Sequence, residues 1–245
     1  VLFIFSYSAA LLYEHATKGI ANEFFINVGS IGSYDLEFGW VVDGLSIMMY
    51  FVVGTVSSLV FIYATNYMQG EIRYTFFFTS LTLFAGSMLV LVSSPTLLQL
   101  LIGWELVGVC SYLLIGHYWE KKENSSAAMK AFITNKIADV GLMIGIIVLA
   151  LSTKTLRISE ILYQSTHDYA DIKTVAYLGG VLLFIGAMGK SAQFPLHVWL
   201  PDAMAGPTPV SALMHAATMV TAGVYLLGRM FPFYQGMASQ ALDIV

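Results

Sequence analysis

Long apolar runs broken by short polar stretches set the layout of the chain. Val1 to Leu12 is apolar, yet shorter than the roughly 20 residues a helix needs to cross a hydrocarbon core of about 30 Å. It reads as the tail of an interrupted transmembrane helix, with neither an initiator methionine nor a charged leader. The chain stops at Asp243-Ile244-Val245 with no closing element, so truncation at both ends is expected. Residues 13–43 are polar and read as an extramembrane loop. Within it Leu36, Phe38 and Trp40 alternate with Glu37 and Gly39, the period of a short strand or hairpin. Residues 44–245 read as a transmembrane bundle. Spanning helices fit Leu45–Tyr67, Thr75–Ser93, Thr96–Tyr118 and Thr134–Leu151, and a polar surface break covers Ser152 to Asp171. A further apolar run extends from Thr174 to Gly189, continues to Phe194 and meets Pro195, and a last helix fits Val210–Met230. Gly141 and Gly145 form a GxxxG, and Gly186 and Gly189 lie one turn apart, a pattern of close helix packing. Loop charges divide five (Lys18, Lys154, Arg157, Lys173, Arg229) against four (Arg73, Lys121, Lys122, Lys130), which leaves the orientation open.

Composition makes the membrane reading firm. Of 245 residues 58% are hydrophobic and only 11% charged, against about 25% charged in an ordinary soluble domain. So few charges cannot cover a soluble globule of this size. A formal charge of −4 excludes a nucleic-acid binder, which needs a basic face. The single cysteine, Cys110, excludes a disulfide framework and a cysteine-held cluster. No CxxCH, GxGxxG, Walker or HExxH motif occurs, so haem, nucleotide and zinc chemistry find no sequence support. The fold class expected is an all-α polytopic membrane bundle.

Against that background a few ionisable groups stand out, because a charge inside the bilayer costs several kcal/mol unless it faces protein, water or a partner charge. Glu105 lies nine residues into its helix, about 14 Å deep, and Lys190 sixteen residues into its run, some 24 Å along. One span separates the two helices, so they run in the same direction and both charges could reach the central layer. A static buried ion pair is one reading, though a poor stability device because desolvation offsets the attraction. A proton switch is the other. Desolvation favours a neutral amine and a nearby carboxylate favours the ammonium, so a lysine between the two responds to the distance of its acid.

Pro195, five residues after Lys190, either breaks this helix inside the membrane or follows an ordinary helix end. Pro201, Pro207 and Pro209 support a turn downstream. His215 lies five residues into the final helix and carries an imidazole that titrates in a range useful to a relay. Asp139, three residues after Lys136, reads as one half of a neutralised pair at a membrane edge or as a gating acid. His15, His117, His167 and His197 fall at helix ends or in loops and are assigned no chemistry.

These residues sit in recognisable blocks. Gly103-Trp104-Glu105-Leu106-Val107-Gly108-Val109-Cys110-Ser111-Tyr112, Lys130-Ala131-Phe132 through Asp139, and Gly189-Lys190-Ser191-Ala192-Gln193-Phe194-Pro195-Leu196 are three of them. The longest runs Trp199-Leu200-Pro201-Asp202-Ala203-Met204-Ala205-Gly206-Pro207-Thr208-Pro209-Val210 through His215 to Val220. Together they resemble the largest antiporter-like subunits (chain 5, or subunit L) of NADH:quinone oxidoreductase, respiratory complex I, from about Asp35 onward. Members usually carry arginine and glycine where this chain has Lys136 and Ala138.

The resemblance implies two inverted five-helix repeats, each with a broken helix and a proton half-channel, of which this chain holds the first. It implies that Lys190 carries the proton at the helix break, Glu105 tunes it, His215 begins the onward relay and Asp139 lies near the first channel. It further implies no cofactor in this chain, with NAD, FMN, Fe–S clusters and quinone held elsewhere in the complex. The partners would be other membrane subunits and the lipid bilayer, and the Lys121-Lys122 loop would lie on the cytoplasmic side. A bacterial inner membrane is preferred, with the mitochondrial inner or thylakoid membrane as alternatives. The large subunit of multi-subunit Na+/H+ antiporters and the ferredoxin-linked plastoquinone dehydrogenases share the same logic and are the alternative functions. A passive helix-locking scaffold and a redox-cofactor anchor are readings of a different class.

Overall fold

A computed structural model of the chain describes residues 2–18, 22–32, 34–166 and 173–236. Helix α1 (Leu2–Lys18) is followed by an antiparallel hairpin, β1 (Asn22–Ile31) and β2 (Tyr34–Val42). Then come α2 (Gly44–Tyr67), α3 (Tyr74–Val92), α4 (Leu97–Ile115), α5 (Lys122–Thr153), α6 (Ile158–Thr166), α7 (Lys173–Lys190), α8 (Thr208–Ala216) and α9 (Met219–Gly236). Four helical segments, Gly44–Tyr67, Tyr74–Val92, Leu97–Tyr118 and Lys122–Thr153, and the combined stretch Thr208–Gln235 are long and apolar enough to cross a membrane; Ala176–Lys190 is a shorter apolar helix. The protein is a multi-pass membrane protein.

Local chemistry explains the helix starts. Asp43 accepts from the backbone N–H of Ser46, and the Ser46 hydroxyl accepts from the N–H of Asp43, a reciprocal box that opens α2. Thr96 caps α4 by accepting from Gln99 N–H. Successive helices run up and down between an end that carries the hairpin and a far end that carries Lys121 and Lys122. The span from α7 onward is interrupted: α7 stops at Lys190, turns and a 3-10 turn (Asp202–Ala205) lead to the far end, and α8 starts back from there. Pro207 stands at its N-cap and Pro209 in its first turn, where a missing N–H costs nothing.

Helices α5 and α7 pack with backbones nearly touching. A Cβ on Gly145 would lie 2.9 Å from the Gly179 carbonyl oxygen, and one on Gly189 would collide with the Ala138 methyl. Small residues are the usual means of such approach where lipid supplies no hydrophobic drive between helices.

Four features depart from the hydropathy reading. Helix α1 continues to Lys18. Helix α5 begins at Lys122, twelve residues ahead of Thr134, because its first turns are polar but rich in helix formers. The polar break contains α6, whose start is tied to the loop before α4 by Ile158 N–H to Pro95 O (2.9 Å). The expected single helix Val210–Met230 is in fact two, α8 and α9, interrupted at Ala217 and Thr218 with no proline there. The Thr218 hydroxyl donates to Leu213 O (3.0 Å) and its carbonyl accepts from Ala222 N–H (2.9 Å), which satisfies the broken turn.

The hairpin's phase is also opposite to its apolar alternation. Glu37, Gly39 and Val41 face the bundle, whereas Trp40 is 52% exposed. The helix ends offer polar partners: Gln99 donates to Gly39 O and accepts from Gly39 N–H, Val41 N–H donates to Ser93 O, and Arg157 grips both Glu37 oxygens.

Candidate functional site

Lys190 is the last residue of α7. The helix ends in a Schellman pair, with Gln193 N–H donating to Met188 O (2.9 Å) and Ala192 N–H to Gly189 O (3.2 Å), and Ala192 takes the left-handed position at φ 50°. That closure precedes Pro195, which lies in the turns beyond it. The Lys190 side chain is 0% exposed. Its Nζ stands 3.7 Å from Asp139 Oδ2 and 5.8 Å from the centre of the Trp104 ring. Gly108 makes room for it: a Cβ there would lie 2.7 Å from Nζ.

Asp139, on α5, is 1% exposed, buried among α4, α5 and α7. Its Oδ1 accepts from Trp104 Nε1 (2.6 Å), whereas Oδ2 is buried without a hydrogen-bond partner among the described residues. That oxygen is 3.7 Å from Lys190 Nζ and equally 3.7 Å from Lys136 Nζ. Lys136 in turn pairs with Glu105, both partly exposed on the side of the bundle at 32% and 28%. The charges therefore alternate in a row: Glu105, Lys136, Asp139, Lys190.

The helix arithmetic puts Glu105 beside Lys190, but its ion-pair partner is Lys136. Trp104 and Gly108, one turn apart, share the face of α4 that meets Lys190, and Glu105 sits about 100° round from Trp104. Lys190 Nζ also has no hydrogen-bond partner among the described residues. The row is thus held by charge more than by hydrogen bonds, and its inner acid is shared between two cations.

On the other side of Lys190, Trp199 is fully buried and donates from Nε1 to Gly189 O (3.0 Å). The His215 ring stacks on Trp199 with centroids 6.4 Å apart, and neither ring nitrogen has a partner among the described residues. His215 thus lies one aromatic ring away from the α7 terminus. His117 is buried in an aromatic nest, His197 stacks on Phe194, and His15 lies against Gly44, all away from the row. His167 lies outside the described residues. Sequence reasoning missed Trp104, Asn135 and Trp199. A polar residue in an apolar helix next to a charge, as in Trp104-Glu105 and Asn135-Lys136, was the available signal.

Comparison with known proteins identifies the family of the chain. A family model described as "NADH:quinone oxidoreductase/Mrp antiporter, TM" matches residues 94–245, and one described as "NADH-Ubiquinone oxidoreductase (complex I), chain 5 N-terminus" matches residues 29–78. The chain belongs to the NADH:quinone oxidoreductase/Mrp antiporter family. Among curated relatives, NAD(P)H-quinone oxidoreductase chain 5 of Synechocystis is 47% identical over 231 residues, 93% of this chain and 34% of that protein. The chloroplastic subunit 5 of the same name from Anthoceros angustus is 46% identical over 228 residues, 91% and 30% respectively. The chain spans about a third of the length of these relatives. A chain in the solved Mrp complex from Dietzia superposes with a TM-score of 0.78 at 28% identity, covering 94% of this chain and 25% of that one. A chain of an archaeal membrane-bound sulfane sulfur reductase gives 0.83 at 20% identity, covering 99% and 48%, a likeness of fold.

Proposed function

We propose that this chain is the first proton-translocating unit of a chain-5 subunit of NAD(P)H-quinone oxidoreductase, with Lys190 as its proton carrier. The observation that carries this is the shared oxygen: Asp139 Oδ2 stands 3.7 Å from both Lys190 and Lys136. When Lys136 leans on Glu105, Asp139 serves Lys190 and the buried ammonium is stabilised. When Lys136 turns to Asp139, Lys190 loses much of its counter-charge. A charge pair about 4 Å apart at an effective dielectric of about 20 is worth about 4 kcal/mol, roughly three powers of ten in proton affinity. The ammonium then gives its proton to His215, leaving a neutral amine and an imidazolium, with the Trp199 ring lining the way. Asp139 is a positioning acid in this scheme and Glu105 sets the position of Lys136.

The outer pair points to a partner. Glu105 and Lys136 are partly exposed, and a charge pair within membrane-spanning helices needs polar cover. A neighbouring membrane subunit supplies that cover and a means of pulling Lys136 from one acid to the other. The chain contributes no redox centre of its own; NAD, FMN, Fe–S clusters and quinone belong to other parts of such a complex. Na+/H+ antiport is the second reading, favoured by the likeness to the Mrp chain at 28% identity, but the relatives at 46–47% carry oxidoreductase names.

The test is proton pumping by the whole complex in sealed vesicles, with Lys190→Ala or Glu105→Ala introduced and assembly checked. Loss of pumping supports the relay. Undiminished pumping in an assembled Lys190→Ala complex refutes it, and a sodium requirement would favour antiport.

A further inference from the structure

The row of charges makes no use of Arg73, which caps the start of α3 at the far end of the bundle. Its guanidinium lies between two aromatic rings, 5.2 Å from the centre of Phe76 and 5.4 Å from that of Trp119. Nη1 donates to His117 O (2.9 Å), and no other guanidinium donor has a partner among the described residues. A pocket of about 170 Å³ opens beside it, lined among others by Tyr112, Leu113 and Ser125. Glu71 and Glu120 lie near His117, and Lys121 and Lys122 follow in the chain, but none of the four lines this pocket. Stacking fixes the plane of the guanidinium, so its spare donors form a fork that fits an oxyanion. Trp119 and Phe76 are exposed aromatic residues at the end of their helices, the setting of a membrane–water interface.

Further into the membrane the same seam of α3 and α4 becomes a groove of about 780 Å³, lined among others by Thr79, Leu83, Gly86, Ser87 and Leu106. Leu113 of the pocket and Leu106 of the groove are two turns apart on one face of α4. From Phe76 to Ser87 the seam runs about 16 Å, close to half of a hydrocarbon core of about 30 Å. The groove has no spare donor: Thr79, Thr82 and Ser87 give their hydroxyls to Thr75 O, Phe78 O and Leu83 O. Leu83 and Leu106 are exposed, and a Cβ on Gly86 would meet nothing within 4 Å. A charged mouth thus leads to an apolar trough one leaflet deep. A free anion would fill the mouth alone; a molecule with an oxyanion at one end and a hydrocarbon chain at the other covers both.

We propose that the α3–α4 seam is a binding site for an anionic membrane lipid, its headgroup phosphate on the Arg73 guanidinium and one acyl chain in the groove past Gly86. Basic pockets between membrane helices are suited to such headgroups. The fork binds the phosphate oxygens, the Phe76 and Trp119 rings keep the fork in place, and the chain removes Leu83 and Leu106 from contact with mobile lipid. The site stands apart from the proton reading, since Glu105, Lys136, Asp139 and Lys190 line neither the pocket nor the groove.

The experiment uses the full complex in detergent, with phosphatidylglycerol carrying a photoreactive group in its acyl chain as the probe. Labelling should map to Tyr74–Val92 and be displaced by plain phosphatidylglycerol, less by phosphatidylcholine, and not by inorganic phosphate at equal concentration. Arg73→Gln should weaken labelling about tenfold, the scale of a lost charge-assisted pair. Arg73→Lys should weaken it less, since the charge stays and the fork goes. Gly86→Leu fills the groove at a position where the helix gains propensity, and should weaken labelling about fivefold, the scale of one or two displaced methylenes. Label absent from α3, or confined to a neighbouring subunit, overturns the proposal in favour of a protein cover. Equal displacement by phosphatidylcholine overturns the anionic preference, and displacement by phosphate means a free-anion site. Arg73→Gln also loses the bond to His117 O and might not assemble; Gly86→Leu then decides alone, and labelling equal to the parent in it overturns the lipid site.

Discussion

Two charged clusters tie the bundle together, and they are built differently. At the hairpin end, Arg229 on α9 grips Asp43 through both terminal nitrogens and donates from Nε and Nη2 to the Tyr225 hydroxyl. That hydroxyl donates to Val92 O (2.8 Å), and Asp43 Oδ1 also accepts from Ser46. Each of these charged side chains is met on every polar heavy atom. In the α4–α5–α7 row, by contrast, Lys190 Nζ and Asp139 Oδ2 face each other at 3.7 Å without a hydrogen bond. A saturated network has one arrangement and acts as a staple. An under-bonded row of alternating charges has at least two of similar energy, which is what a switch requires.

Substitution should separate the two. Lys190→Met removes the carrier but leaves an apolar chain of similar length beside Trp104, Gly108 and Asp139. Pumping should fall by about a hundredfold, the range for a lost proton-transfer group, with assembly intact; an assembled variant that pumps would erase the distinction. Arg229→Leu should do the reverse. It leaves Asp43 without its cation, at a cost of about 3–5 kcal/mol, so the complex should assemble poorly or melt earlier, measured by thermal stability in detergent. A normal melting point would show that the saturated cluster is no staple.

The contrast also marks what the sequence could show. The spans were legible because apolar runs of about 20 residues need no knowledge of partners. Lys190 and Asp139 were legible because a charge in such a run is costly. Their pairing was not, since it depends on how α4 is rotated, and 100° decides whether Trp104 or Glu105 meets the amine. The α8–α9 break escaped because Ala217 and Thr218 are unremarkable in a helix, and the interruption is sustained by a threonine hydroxyl whose partner only the fold supplies. The phase of β2 escaped for a similar reason: Gln99, Ser93 and Arg157 draw Glu37, Gly39 and Val41 inward by hydrogen bonding, against hydropathy.

A milder test concerns the second staple at the hairpin end. Hydrogen bonds from Arg157 (2.5 and 2.6 Å) hold the Glu37 carboxyl below its ordinary value of 4.5. A depressed folded value means the pair stabilises fully above the ordinary carboxylate range and is lost as pH falls through the depressed one. Hydrogen exchange in Tyr34–Val42 should therefore be flat from neutral pH down to the ordinary range, once corrected for intrinsic rates, and rise below it. Glu37→Gln should abolish that step and cost about 1 kcal/mol at neutral pH, the scale of a pair with one exposed partner. The Lys190 row should be untouched, so pumping should stay within about twofold of the parent, a change below about 0.5 kcal/mol.

The smallest effect is expected where the two regions' logic meets, at the end of α7. Ala192 holds a left-handed conformation in which an L-residue with a Cβ costs about 1–2 kcal/mol, whereas glycine takes it freely. Ala192→Gly should therefore stabilise the Schellman closure behind Lys190 by about 1 kcal/mol or less, since glycine's freedom in the unfolded chain offsets part of the gain. A slightly raised melting temperature with pumping unchanged is the expected outcome. If pumping falls while stability rises, the strained turn is part of the switching row and not merely its boundary, and the division between staple and switch must be redrawn to include the helix end.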